Sequence, residues 1–286
     1  MGVVTITDSA NALPLDDLLR LGIHVVPIHV NENGLSTPET EVDLAALHQR
    51  LVTATVLPTT SQPVPEEFAQ VFGEVVEAGD DAIAVLISAK LSGTFQAADL
   101  GASLVRESHP SARIALVDSK SNSMQEGFAV LAAAECAASG GSLEECEAAA
   151  LASVARSRFL FSPVSLEHLR HGGRLLGAAS LVGSILRISP ILTASDGSTG
   201  VAAVVRSQHK ALMKMAALMR ADVARCGLKR AVVQVIAEVD AAARFARELI
   251  EPIVGGPVPI VLVGAAVSIH VGPAVGLAYE TIEPLR

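Results

Sequence analysis

The chain has 286 residues, half of them apolar, with no tryptophan, one tyrosine (Tyr279) and a formal net charge of -9. That length suffices for one large or two ordinary domains, and the core must be aliphatic, so a ligand cavity would have alkyl walls with little aromatic surface for stacking. An acidic balance without any basic run excludes nucleic acid as a partner, because phosphate binding needs a basic patch.

Apolar extended runs alternate with helical patterns through the first half. Strands are expected at Val3–Thr7, Ile23–Val30, Ala82–Ile87 and Arg113–Val117. Helices are expected at Pro14–Leu21, Leu44–Leu51, Glu66–Glu77, Phe95–Ser108 and from about Met124 to Ala138. This alternation predicts a mostly parallel α/β sheet covered on both faces, with ligands beyond the carboxyl ends of its strands. Asp8-Ser9, Ser88 to Ser92 and Asp118-Ser119 all fall just past strand ends. They could form one rim, although Asp and Ser are equally common there as N-caps.

Two segments of this half carry the same chemistry. After the strand Ala82–Ile87 comes a tight loop and a helix opening at Ser92-Gly93-Thr94. Hydroxyls and unpaired backbone N–H groups then meet at the positive end of a helix dipole, the makings of an anion site as well as of an ordinary N-cap. Upstream, Leu57 to Phe68 sets Thr59, Thr60 and Ser61 among three prolines ahead of another helix. Prolines rigidify this loop and hold Thr60 and Ser61 in place, while Pro65, Glu66 and Glu67 suit a first helical turn. A capping loop and a binding loop read equally well here. Together, the two segments suggest one oxyanion held by neutral donors.

Gly140-Gly141 ends the long helix, and Leu143 to Ser157 reads as another. Ser165 then caps a short helix, Leu166 to His171, terminated by Gly172-Gly173. A hairpin follows, Ile188 to Thr193 and Val201 to Arg206, around the Asp-Gly turn chemistry of Ala194 to Gly200. Next come a helix (about Lys210 to Arg225, stopped by Gly227), a strand (Ala231 to Ala237), a helix (about Ala241 to Ile250) and a strand (Val258 to Val263). This is an α+β pattern, so the expected domains are 1–157 and 158–286, with the Thr60-Ser61-Gln62-Pro63 segment free to pack with either. No internal repeat or low-complexity tract is evident.

Mean hydropathy is positive. No run reaches the roughly 18 apolar residues of a membrane span, and the nearest, Pro257 to Ile269, is short and broken by prolines and glycine. The first strand follows the N-terminus directly, without a basic region or cleavage signature, so no signal peptide is expected. Cys136, Cys146 and Cys226 lack Cys-x-x-Cys spacing and read as small core residues in a reducing cytoplasm rather than as a disulfide framework or a zinc site. The chain has no Gly-x-x-x-x-Gly-Lys-Ser/Thr, no Gly-x-Gly-x-x-Gly after the first strand, no Gly-x-Ser-x-Gly, and no histidine pattern with metal-ligand spacing.

Several short motifs, in order along nearly the whole chain, resemble the DegV family of bacterial proteins, which bind a fatty acid between two α/β domains. They are Thr7-Asp8-Ser9, Thr60-Ser61-Gln62-Pro63, Leu91-Ser92-Gly93-Thr94-Phe95-Gln96, Val117-Asp118-Ser119, Gly172-Gly173-Arg174, Pro190-Ile191-Leu192 and His270-Val271-Gly272-Pro273. The resemblance implies a two-domain fold, a mostly parallel N-terminal sheet plus an α+β domain, and a lipid-binding rather than catalytic protein with no cofactor or metal. It implies that Thr60 and Ser92 hold the carboxylate, with Ser61 and Gly93 beside them, and that Arg206 and His270 lie near the head group. The implied partners are a long-chain fatty acid and a separate ATP-binding fatty acid kinase subunit that makes acyl phosphate for phospholipid synthesis. A cytoplasmic location follows, with room for transient contact with a membrane surface.

The sequence departs from the family pattern at Val64 after Gln62-Pro63, at Ser189 before Pro190 where Lys is frequent, and at Ala274 after Gly272-Pro273. The last two bear on acyl preference or partner docking.

The residues themselves suit such a ligand. A tail of about 16 carbons gains on the order of 11 kcal/mol gross on burial, before association costs. Its carboxylate cannot be buried unpaired, and hydroxyl and backbone donors offset that penalty while leaving an oxygen nucleophilic. Arg174 reads as structural or as a partner contact. Asp8 and Asp118 are either N-caps or a base or magnesium pair. Two rivals remain: a self-sufficient enzyme on a small phosphorylated or acidic metabolite, using Ser92 with Asp8 or Asp118, and a scaffold whose lipid is only structural.

Overall fold

The computed structural model describes residues 2–53, 56–175 and 188–285. Internal contacts divide the chain into two units, Met1–Glu41 with Thr60–Val154, and Val42–Thr59 with Ala155–Arg286.

The first unit opens with β1 (Val3–Asp8), a 3-10 turn at Ser9–Asn11, α1 (Leu15–Arg20), β2 (His24–Val26), β3 (His29–Glu32) and β4 (Leu35–Pro38). The chain passes through α2 (Leu44–Leu51), which belongs to the second unit, and returns with β5 (Thr59–Ser61). It continues as α3 (Pro65–Glu77), β6 (Asp81–Leu86), α4 (Thr94–Ser108), β7 (Ile114–Asp118), α5 (Ser123–Ala138) and α6 (Leu143–Arg156). Four strands form a parallel sheet in the order β2-β1-β6-β7, with Ile6 opposite Ala84 and Ala84 opposite Leu116. Every residue of β6 is buried, as a central strand covered on both faces requires. The expected strand Ile23–Val30 is instead two strands. Pro27 lies between them and has no N–H for a ladder; β2 joins the parallel sheet and β3 a small sheet ordered β4-β3-β5. Phe68 and Phe72 of α3 pack with Ile6, Leu86 and Ala98 in the core. Gly101 permits α3 and α4 to approach, because a Cβ there would stand 2.7 Å from the Pro65 carbonyl oxygen.

The second unit continues as β8 (Ser157–Pro163), α7 (Glu167–His171), β9 (Ser189–Ser195), β10 (Ser198–Val205), α8 (Gln208–Cys226) and β11 (Leu228–Ile236). Helix α9 (Val239–Phe245) runs through a π-helical turn into α10 (Glu251–Val254), followed by β12 (Ile260–Leu262), α11 (Ala265–Val271) and β13 (Ala274–Thr281). The six-stranded sheet, ordered β10-β9-β8-β13-β11-β12, is antiparallel except for β11-β12. In the β9-β10 turn, Asp196 and Gly197 take φ of 47° and 79°, the left-handed pair that a two-residue hairpin needs.

This unit departs from expectation in three places. Strands β8 and β13 were not expected, yet β13 is buried along its whole length with β8 and β11 on its two sides. Helix α11, which carries His270, was not expected either. And the residues 42–59, expected within a continuous domain 1–157, belong to the second unit, where His48 of α2 meets the Val263 carbonyl at 3.1 Å and the Ser268 hydroxyl at 2.9 Å. A buried imidazole needs such partners, and α11 and the loop before it supply them. No helix among the described residues is long and apolar enough to cross a membrane.

Candidate functional site

In the first unit the carboxyl ends of β1, β6 and β7 are tied together by polar groups. Asp8 is fully buried; its carboxylate accepts the Ala10 and Ile87 N–H groups, each at 2.8 Å, joining the end of β1 to the loop after β6. Burial pushes its carboxyl up to about 6, against the lowering effect of those two bonds. Its acidic neighbour is Glu126 of α5, not Asp118. Glu126 is also fully buried, accepts from the Thr7 hydroxyl at 3.4 Å, and is pushed well above the usual carboxylate range by burial and then by the charge of Asp8. Glu39 adds to this acidic group and accepts from the Ser9 hydroxyl. Asp118 accepts the Lys120 N–H at 2.8 Å and the Ala89 N–H at 3.4 Å. Both aspartates therefore brace loops. Among the described residues no group of three or more His, Cys, Asp or Glu could hold a metal. Sequence reasoning missed Glu126, which sits in an alanine-rich helix with no motif to mark it.

The hydroxyls divide into two kinds. Ser88, Thr94, Ser119 and Ser121 are fully buried and serve the scaffold: Ser88 N–H donates to the Ser121 carbonyl at 2.8 Å, and the Ser121 hydroxyl donates to Gln125 at 2.8 Å. Ser119 and Ser121 lie in a loop in which Lys120, between them, and Ser123 both take positive φ, and no sequence signal marked Ser121 as a support. Thr60 and Ser92, in contrast, are half-buried, and Ser61 is exposed and accepts from Asn31 at 3.1 Å. The Ser92 hydroxyl lies 2.8 Å from that of Thr94 and accepts the Thr94 N–H at 3.3 Å, at the very start of the 15-residue helix α4.

Gly93 joins the two hydroxyl segments. A Cβ on Gly93 would collide with the side-chain amide of Gln62, so the Gln62 side chain of the Thr60-Ser61-Gln62 segment lies against the Ser92-Gly93-Thr94 turn. Gly93 itself has an ordinary φ of -76° and the exposed Gln62 amide fills the space beside it. Glu67 reinforces the arrangement, accepting the Val64 N–H at 2.7 Å and meeting the His29 ring at 2.9 Å, which fixes how the segment enters α3. The result is a cluster of neutral donors at a helix N-terminus, suited to a carboxylate or another small anion.

In the second unit, Arg206 follows β10, is exposed, and makes no hydrogen bond or ion pair among the described residues. His270 faces Gly172, where a Cβ would run into its ring, and His168 faces Gly272 in the same way. These two glycine–histidine contacts lock α7 against α11. Burial, and then the charge of Arg174, pushes His270 down to about 4, so at neutral pH it is an uncharged imidazole. His168 is lowered by burial and then by the charge of His171. These helices, with Leu57, Pro58 and Thr59, line a cavity of about 470 Å³. The cavity falls within the range of small-molecule sites. From Thr59 the chain runs directly into Thr60.

A second, apolar slot in this unit is lined by Phe159 and Phe161 of β8, Gln234 and Ile236 of β11, and Val267 and Val271 of α11. Its free volume is about 10 Å³, too little to hold a water molecule comfortably. Gly276 of β13 makes room for the Phe159 ring, which would stand 3.0 Å from a Cβ there.

The fold and these features define an α/β protein of two units, one with a parallel sheet bearing a neutral-donor helix start and one with a mostly antiparallel sheet bearing an apolar slot. The chain belongs to the DegV family: the family model described as "Uncharacterised protein, DegV family" matches residues 3–281. A DegV domain-containing protein of Clostridium acetobutylicum is 35% identical over 287 residues, covering 100% of both chains. A fatty-acid-binding DegV family structure from Thermus thermophilus superimposes with a TM-score of 0.88 at 34% identity, covering 98% of this chain and 100% of that one. A stearic-acid-binding protein from Eubacterium ventriosum gives a TM-score of 0.89 at 25% identity, covering 97% and 98%. The family resemblance carried by the motifs, and the α/β fold it implied, are therefore correct.

Proposed function

We propose that this protein binds a long-chain fatty acid, with the hydroxyls of Thr60 and Ser92 donating to its carboxylate and Ser61 and Gly93 completing the mouth. The contact between Gln62 and Gly93 carries this reading, since it unites two hydroxyl segments that the sequence separates by about thirty residues. The fatty acids named for the Thermus and Eubacterium relatives support it. The predominantly aliphatic composition of the chain suits an alkyl tail, whose burial supplies the gross binding energy. His270, uncharged at neutral pH, can serve a head group as a hydrogen-bonding partner but not as a counter-ion.

The bound acid is then handed to a separate ATP-binding kinase subunit, which phosphorylates the carboxylate to acyl phosphate. Neutral donors suit that step, because a tight arginine pair would suppress the nucleophilicity of the attacking oxygen. Exposed Arg206 is assigned to the docking of that partner or to the product phosphate. Native mass spectrometry of the purified chain tests the reading. A co-purifying long-chain fatty acid is the expected result; an empty protein that takes up no added palmitate or oleate would end it.

A further inference from the structure

Cys136 and Cys146 are not used by the acyl site, yet the Gly140-Gly141 turn brings them together. Cys136 lies in the last turn of α5 and Cys146 in the first turn of α6. The turn is closed by Gly140 N–H to the Ala137 carbonyl at 2.9 Å and Gly141 N–H to the Cys136 carbonyl at 3.0 Å. Gly140 has φ 81°, a conformation that side chains other than glycine rarely adopt. The Cys136 sulfur occupies the space where a Gly141 side chain would stand, 2.5 Å from an ideal Cβ. From the other helix, the Cys146 thiol faces the Gly141 carbonyl at 3.8 Å. Both sulfurs therefore rest on one glycine. Cys136 is half-buried and Cys146 buried.

We propose that Cys136 and Cys146 are a modification site, forming a reversible disulfide across the α5–α6 turn when the protein meets a hydroperoxide. The more exposed Cys136 reacts first. Its thiolate attacks one peroxide oxygen, the O–O bond breaks, and the departing hydroxide takes up a proton to leave as water, so the sulfur becomes a sulfenic acid. Cys146 then gives up its proton and its sulfur attacks the sulfenyl sulfur; the S–O bond breaks and a second water leaves. Two thiols and one hydrogen peroxide become one disulfide and two waters, with sulfur oxidised and the peroxide oxygens reduced. Burial, and then the neighbouring Cys136, pushes the Cys146 thiol up to about 12, which makes it a slow resolving partner but not the first point of attack. A low-molecular-weight dithiol reverses the bond.

Treating the full chain with hydrogen peroxide and measuring its intact mass tests the assignment. The expected product is lighter by two hydrogens, resists alkylation at Cys136 and Cys146 until reduced, and gives a cross-linked pair after cleavage at Glu144 and Glu145. Cys226→Ser should behave as wild type, whereas Cys136→Ser and Cys146→Ser should each abolish the cross-link. Added oxygen on Cys136 while Cys146 still alkylates after denaturation, or a link between two chains, would overturn it.

Discussion

The two units bury opposite kinds of titratable group. Beneath the strand ends of the first lie acids, Asp8 and Glu126, both raised by burial. Around α11 of the second lie histidines, His48, His168 and His270, all lowered chiefly by burial. Burial thus shifts the two sets in opposite directions, in each case disfavouring the charged form. What remains to meet an anionic ligand in the first unit is a set of uncharged hydroxyls and backbone N–H groups. On the proposed function, a carboxylate there would be held by those neutral donors without a fixed cation.

The largest expected effect is a divergence of the two units with pH. Asp8 has an ordinary value of 3.8 and sits at about 6 in the fold, so its contribution to stability is complete below about 4 and lost as pH rises through 6. His270 moves from 6.5 to about 4, so its contribution is lost as pH falls through 4 and complete above 6.5. Each amounts to about 3 kcal/mol by linkage. Hydrogen exchange corrected for its intrinsic pH dependence reads the units separately. Between pH 4 and 6.5 protection should decline in the first unit and grow in the second. Asp8→Asn should weaken only the former trend, to which Glu126 also contributes, and His270→Gln only the latter, to which His48 and His168 also contribute; a common trend in both units would break the comparison.

A smaller effect is expected at Arg206, which is exposed and unpaired among the described residues. Arg206→Ala should change stability by about 0.5 kcal/mol or less. Acyl affinity should hold while acyl phosphate formation with a cognate kinase falls. Equal losses in both assays would move Arg206 into direct contact with the carboxylate.

The parallel sheet was legible because β6 and β7 carry apolar runs followed by polar residues and β1 is a β-branched run ending at Asp8-Ser9, and the β9-β10 hairpin because Asp196-Gly197 demands one turn type. Strand β13 was not, since Gly276 and three alanines or valines dilute its pattern and burial on both faces removes alternation. Helix α11 hid in an apolar segment rich in β-branched residues, whose local preference is overridden by packing against α2 and α7. Of the site, Ser92, Gly93 and Thr60 could be named from hydroxyls and glycine at helix starts. The contact of Gln62 with Gly93 depends on how closely α3 and α4 pack, set by Gly101, and no local pattern carries that. Glu126 was invisible for the same reason: its partners Thr7 and Asp8 lie more than a hundred residues away.

The affinity of Thr60→Ala and Ser92→Ala for palmitate or oleate, measured by calorimetry beside wild type, is the most direct test of whether hydroxyls hold the acid. Each variant should lose about 1–3 kcal/mol, or roughly five- to 150-fold in Kd, from a charged acceptor left short of a donor. Wild-type affinity in both would contradict the account.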